Sequence, residues 1–286
     1  MIKSAVTISL VPEARGGPFV FWDDLESACR KAAALGFDGI EVFAPDAETL
    51  QRRELCQLLD EHDLELAAAG TGAGWVKHKL TLTSPDPSIR QAAKSFVRSV
   101  IDAAGALRAP AIIGSMQGRW GGEVARDDAF HYLAEALEDL GEHARRQDVR
   151  LLFEPLNRYE TNLVNTIDSG VELLQSLSTK NVKLLADLFH MNIEERSIRH
   201  ALYAGTGYIG HVHFADSNRR AVGWGHIYAR GVGHDLREIN FEGFVSAEAL
   251  PFPDPDEAAQ RTASSFRQLL EAYQEPRPGA GGRTRA

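Results

Sequence analysis

The sequence predicts an α/β fold, a single (β/α)₈ barrel spanning residues 1–274, with a disordered tail at 275–286. Strand-like and helix-like patterns alternate along the whole chain, which is the rhythm of a parallel sheet. The 286 residues suit one closed barrel, whose ordinary length is about 250 residues. Four apolar runs in the second half each stop on a carboxylate or a histidine, as expected where a barrel carries its site on the C-terminal ends of its strands.

Residues 5–9 are short, apolar and β-branched and open the series. Residues 22–35 have helical spacing and stop at Gly36, a residue suited to a helix C-cap. Strands are expected at 39–43, 64–69 and 109–113. Helices are expected at 47–62 and at 85–105, the second opening on Pro85-Asp86-Pro87-Ser88 and closing at Gly105. The second half repeats the pattern, with strands at 150–154, 182–187, 208–213 and 244–248. Helices fall at 127–147, 167–177, 194–204, 234–239 and 256–273. The tail is rich in Pro, Gly and Arg. A doubly wound open sheet would want a glycine-rich phosphate turn after its first strand. The nearest candidate, Gly70-Thr71-Gly72-Ala73-Gly74-Trp75, follows the third strand and lacks the third glycine at the required offset, so it is read as a flexible loop over the site.

Hydrophobic residues make up 44% of the chain, enough for a large core. A net charge of −9 argues against a nucleic-acid partner, which would want a basic stripe. The two cysteines, Cys29 and Cys56, are too few for a disulfide scaffold and too far apart for a metal clip, so the expectation is a cytoplasmic protein. The first twelve residues lack a signal-peptide core, and no run reaches the roughly 18 apolar residues of a membrane span.

The chemistry lies in the four terminated strands. Leu152 and Glu154 share a face, as do Leu185 and Asp187, His211 and His213, and Ser246 and Glu248. If these are the inward faces, all four terminal residues converge on one point. Singly, each is as readily a solvated turn residue or helix cap; four in order on successive strands are hard to obtain by accident. Three carboxylates and one imidazole suit Mn²⁺ first, with Mg²⁺ or Co²⁺ as alternatives, over a structural zinc. Lys183 also shares the face of Asp187, which places it on the barrel floor unless the register there differs.

Four segments tie this pattern to a family. The run Glu154-Pro155-Leu156-Asn157-Arg158-Tyr159-Glu160-Thr161-Asn162-Leu163-Val164-Asn165-Thr166 resembles the signature of the xylose-isomerase-like TIM barrels of the sugar isomerase/epimerase superfamily. It is most similar to that of the D-tagatose/D-psicose (ketose) 3-epimerases. Asp187 followed by His190, and His213 followed by Arg219, resemble the family's metal and substrate residues, and Ser246-Ala247-Glu248 resembles its last metal segment. The resemblance implies that Glu154, Asp187, His213 and Glu248 bind the divalent cation, and that Glu154 and Glu248 are also the catalytic acid/base pair. It implies that Glu160, His190 and Arg219 hold substrate oxygens, and that the protein is a homo-oligomer, dimer or tetramer.

The implied activity is a metal-dependent ketose 3-epimerase acting on a small-molecule sugar. The C3 hydrogen of a ketose is weakly acidic; a chelated metal stabilises the enediolate, one carboxylate takes the proton, and the other returns it to the opposite face. Two alternatives begin with the same abstraction: an aldose–ketose isomerase of the hydroxypyruvate isomerase-like kind, and a lyase acting on 3-keto sugars or glycosides by β-elimination. The apurinic-site endonucleases of the same barrel would need more ligands and a basic surface. His211 is read as packing or as support for His213, and Glu41 as either a pocket residue or a structural acceptor. Trp120 and Trp75 are candidates to cover an apolar sugar face, Trp120 being placed with the substrate-binding residues. The sequence leaves Arg119, Glu123 and Arg158 undecided. Where the family has Pro-Gly-x-Gly after the arginine, this chain has Arg220-Ala221-Val222-Gly223-Trp224-Gly225-His226, so the pocket wall is expected to differ there.

Overall fold

The computed structural model describes residues 1–276; the tail expectation, from residue 277 onward, lies outside the described residues. Among the described residues nine strands run in chain order: β1 (Ile2–Ser9), β2 (Phe21–Trp22), β3 (Gly39–Phe43), β4 (Glu65–Gly70), β5 (Ala111–Ile113), β6 (Leu151–Phe153), β7 (Val182–Asp187), β8 (Ile209–His213) and β9 (Gly243–Ala247). Every neighbouring pair is parallel, and β1 also pairs with β9, so β1 and β3 to β9 close an eight-stranded barrel. The two-residue β2 is an extra strip on the C-terminal end of β1, pairing Ile8 with Phe21 and Ser9 with Trp22. No helix among the described residues is long and apolar enough to cross a membrane.

Eleven α-helices occupy the described residues: α1 (Leu25–Leu35), α2 (Ala47–Leu50), α3 (Arg53–Glu61), α4 (Ala73–His78), α5 (Pro87–Gly105), α6 (Arg126–Arg146), α7 (Ile167–Ser176), α8 (Leu188–Glu194), α9 (Ile198–Ala204), α10 (Ala229–Glu238) and α11 (Pro255–Gln274). Local chemistry sets many of their ends. The Asp24 carboxylate accepts from Ser27 N–H at the start of α1, and Gly36, at φ 79°, closes it in the left-handed region that glycine enters without strain. Thr166 and Ser169 form a reciprocal capping box on α7.

The structure corrects several expected boundaries. The helix expected from Trp22 begins at Leu25, because β1 takes Trp22 into the sheet. The helix expected over 47–62 is two helices, since Asp46 caps α2 and the chain turns at Gln51 and Arg52. The helix expected over 194–204 is likewise α8 and α9, with Ser197 capping the second. The glycine-rich segment after β4 is not an open loop. Thr71 bonds the Ile112 carbonyl through both its N–H and its hydroxyl (3.1 and 2.7 Å), and α4 follows directly.

Two layers of core form. The larger lies between barrel and helices. A small one, Ala68, Ile112, Leu152 and Leu185, fills the barrel interior. Leu152 and Leu185 are two residues below Glu154 and Asp187, so the alternation that buries them aims the carboxylates upward into the mouth. Lys183 lies at the opposite end, where its Nζ donates to Gly207 O at 2.5 Å on the barrel floor.

Candidate active site

Four strand ends converge as the alternation predicts. Glu154 follows β6, Asp187 closes β7, His213 closes β8 and Glu248 follows β9. Asp187 and His213 are register partners on adjacent strands, and one ligand atom from each of the four residues lies within 4.8 Å of the others. The His213 Nδ1 is the centre of the group, 3.4 Å from Glu154 Oε1, 3.5 Å from Glu248 Oε2 and 3.6 Å from Asp187 Oδ2. Glu154 Oε1, Asp187 Oδ2 and His213 Nδ1 are all buried and make no hydrogen bond. Buried polar atoms are ordinarily hydrogen-bonded, so three that are not, aimed at one point with only the Arg219 guanidinium beside Asp187, fit a cation that would satisfy them together. The donor set of carboxylate oxygens and one imidazole nitrogen suits a divalent ion.

The surrounding charges are strongly coupled. Burial pushes the Glu154 carboxyl up to about 8, with the neighbouring Glu248 and Asp187 charges adding to it against His213. Burial would raise Asp187 too, but the Arg219 guanidinium and the nearby histidines hold it well below the usual carboxylate range. Burial would lower His213, yet Glu41 and Glu248 raise it well above its ordinary value.

Three further residues surround the cluster. Arg219 Nη1 lies 2.9 Å from Asp187 Oδ2, its Nη2 bonds Glu248 Oε2, and its guanidinium stacks 4.6 Å over the Phe189 ring. The His190 Nδ1 accepts from the Asn157 side chain and backbone (2.7 and 3.2 Å), and its Nε2 lies 3.2 Å from Arg219 Nη1, with Asp187, Glu154 and Glu160 at 3.6, 3.8 and 4.0 Å. Burial pushes His190 down to about 3, which keeps this ring neutral. Glu160 accepts weakly from Asn157 and is raised by burial.

Glu154, Glu160, His190, His213, Arg219 and Glu248 line a cavity of about 460 Å³ over the barrel mouth. The β6-to-β9 side is charged. The opposite wall is apolar, built by Ala14, Pro18, Phe19, Phe43, Trp75 and Val76. The Phe19 and Phe43 rings stack there at 4.8 Å.

The sequence profile of the xylose isomerase-like TIM barrel matches residues 29–270. The chain belongs to that family. A D-psicose 3-epimerase of Agrobacterium fabrum is 31% identical over 241 residues, covering 82% of this chain and 79% of that protein. An L-ribulose 3-epimerase of Methylomonas sp. is 28% identical over 264 residues, covering 89% and 90%. The crystal structure of a D-allulose 3-epimerase from Methylomonas sp. superposes with a TM-score of 0.80 at 24% identity, over 94% of this chain and 98% of that one, a likeness of fold. This xylose isomerase-like barrel is therefore an enzyme of the sugar epimerase family.

Of the residues singled out from the sequence, Glu154, Asp187, His213, Glu248, Glu160, His190 and Arg219 are brought together. Trp120 is not. It stays outside the cavity lining because its backbone and indole N–H groups both bond Asn162 (3.0 and 2.7 Å), which returns a bond to the Trp120 carbonyl. Trp75 does line the cavity. Trp224, in the departing loop, packs against the core. Arg158 is clamped to Glu194, at 2.9 and 3.0 Å, and Glu41 bonds both His211 and His213.

Asn157, Phe189 and Asp216 escaped the sequence reading. Asp216 is buried and accepts from the backbone N–H groups of Ser217, Gly223 and Ile227 at 2.7, 2.7 and 2.9 Å, tying the loop that carries Arg219 into one shape. The Asp216-Ser217-Asn218 composition, favoured in turns that bond their own backbone, was the available signal.

Proposed function

We propose that this protein is a divalent-metal-dependent ketose 3-epimerase acting on an unphosphorylated sugar, with Glu154 and Glu248 as its acid/base pair. The observation that carries this reading is the convergence of three buried atoms without a hydrogen bond, Glu154 Oε1, Asp187 Oδ2 and His213 Nδ1, beside a third, part-buried carboxylate, Glu248. The relatives named D-psicose and L-ribulose 3-epimerase support the same chemistry.

Glu154, Asp187, His213 and Glu248 would hold the ion, which when bound supplies Lewis-acid stabilisation of the negative charge left on the ketose by proton removal. One of the two glutamates removes the C3 proton, and the other returns a proton to the opposite face; one carboxylate cannot reach both. Asn157 fixes the His190 ring through Nδ1, which turns Nε2 toward Arg219 and the substrate oxygens beside it. Arg219 holds Glu248 in place and offers positive charge to the substrate oxygens. Apart from Arg219, no lysine or arginine lines the cavity among the described residues, and Arg219 already serves two carboxylates. A phosphate dianion would enter beside acidic groups without a free cation, which favours an unphosphorylated sugar.

Mn²⁺ is our first choice of ion from the donor set. A cytoplasmic homo-oligomer, dimer or tetramer, completes the reading, and sizing chromatography checks the assembly. The test of activity is incubation of the Mn²⁺-loaded protein with D-psicose, D-fructose or L-ribulose in D₂O. The expected product carries deuterium at C3 and is the C3 epimer. Deuterium at C1 or C2 would indicate an aldose–ketose isomerase, and loss of a leaving group from a 3-keto glycoside would indicate a lyase. Glu154→Gln and Glu248→Gln should each lower kcat by about 10²–10⁴-fold.

A further inference from the structure

Glu41 stands in β3, across the barrel from β8, and is buried. Its two carboxylate oxygens serve two histidines of one strand: Oε2 accepts from His211 Nε2 at 2.8 Å and Oε1 from His213 Nε2 at 3.0 Å. The two rings meet edge to face, with centroids 5.6 Å apart. Among the described residues no other hydrogen bond reaches the carboxylate. Thr7, its register partner on β1, commits its hydroxyl to Ala247 O and Val20 N–H.

This arrangement fixes a choice that His213 cannot make alone. An imidazole turned over about its Cβ–Cγ bond would present a C–H to the acidic cluster in place of Nδ1. The other tautomer would present an N–H. In the neutral ring that ligates a cation, a carboxylate accepting from Nε2–H excludes both and leaves the Nδ1 lone pair facing Glu154, Asp187 and Glu248. His211 has the matching task on Glu41. By occupying Oε2 it keeps the carboxylate from turning away, and without it a buried oxygen would be left unpaired. The 2.8 and 3.0 Å separations are hydrogen-bond distances, so the Glu41, His211 and His213 group is a relay and not a second cation site.

We infer that Glu41 and His211 are positioning residues for the metal centre, Glu41 setting the ring orientation and tautomer of His213 and His211 holding Glu41 to that geometry. This rests on the metal-dependent reading above, and the experiment separates the two. The full chain is stripped with a chelator and titrated calorimetrically with Mn²⁺, as wild type and as Glu41→Gln, His211→Gln and His211→Leu. The Zn²⁺-loaded forms are examined by ¹⁵N NMR for the His213 ring nitrogens.

Wild type is expected to take up a single Mn²⁺, with His213 protonated at Nε2 alone. Glu41→Gln, whose amide accepts from one histidine but donates to the other, should weaken Mn²⁺ binding by about 10–100-fold and mix the His213 tautomers. His211→Leu should weaken it similarly. His211→Gln retains an N–H donor near the Nε2 position and should restore affinity close to wild type. A role in packing alone would lower Tm but leave the Mn²⁺ affinity and the His213 spectrum unchanged, and that result overturns the inference. Two Mn²⁺ per chain, falling to one in Glu41→Gln, would overturn it in favour of direct ligation. A wild type that binds no Mn²⁺ overturns the metal-dependent reading itself.

Discussion

A Cβ on Gly114 would lie 2.6 Å from Glu154 Oε2, so the carboxylate occupies space that only glycine leaves open. Gly114 follows β5, and the Glu154 N–H donates to Ile113 O at 2.9 Å, which brings the two backbones side by side. Gly114→Ala must therefore displace the Glu154 side chain. A shift of about 1 Å in a catalytic group can cost about 10²-fold in rate. The expected outcome is a kcat/KM lower by that order with weakened Mn²⁺ binding, and a variant with wild-type kinetics would show that Glu154 need not sit where it does.

Asp216 gives a prediction with a defined pH dependence. Burial would raise its carboxyl, but the backbone N–H groups of Ile227, Ser217 and Gly223 hold it below its ordinary 3.8. The folded value is depressed relative to the unfolded one, so the stabilisation is present above the unfolded value and is lost as pH falls. Asp216→Asn turns an amide donor toward N–H donors and should cost about 1–3 kcal/mol at neutral pH. In urea titrations the gap between wild type and variant should be constant from pH 7 to about 5 and narrow below about pH 4. A gap that widens in acid would contradict the assignment. KM should rise as well, because the same loop carries Arg219.

The parts legible in the sequence were those written in local pattern. Strand alternation placed Glu154, Asp187, His213 and Glu248 on inward faces, and the barrel did the rest. What stayed hidden depends on partners distant along the chain. Asn157 orients His190 from 33 residues away, and the Glu41 relay spans 170 and 172 residues. The Gly70-to-Trp75 segment has turn composition, yet tertiary bonds from Thr71 to Ile112 lead it into α4. Trp120 looked like a pocket residue because a lone loop tryptophan carries no sign of its partner; Asn162 supplies that partner.

Arg219 tests whether a fork of donors, and not charge alone, is needed. Its two terminal nitrogens reach Asp187 and Glu248, on different strands, while its planar face lies on Phe189. A lysine keeps the charge but can neither bridge both carboxylates in that plane nor stack in the same way. Arg219→Lys is expected to lower kcat/KM by about 10²-fold through misplacement of Glu248, while circular dichroism stays unchanged. Phe189→Leu, which removes only the stacking face, should have a smaller effect in the same direction. Wild-type kinetics in Arg219→Lys would reduce the residue to a source of charge.

Metal removal should be visible in stability independently of catalysis. Glu154 Oε1, Asp187 Oδ2 and His213 Nδ1 converge in the folded chain without a hydrogen bond, so a bound ion stabilises that state and gains nothing from the unfolded one. At a free Mn²⁺ concentration of about 100 times Kd, the stabilisation is about 2.7 kcal/mol. For a domain of this size that should raise Tm by roughly 5–10 °C. Chelator treatment should remove the increment, and added Mn²⁺ should restore it in step with activity. The Asp187→Asn variant should lose most of the increment, since a carboxylate oxygen lying 3.6 Å from His213 Nδ1 is replaced by a neutral amide. If chelation leaves Tm unmoved in the wild type while Asp187→Asn alone lowers it, the cluster is held by Arg219 and His213 without an ion, and the metal-dependent reading falls.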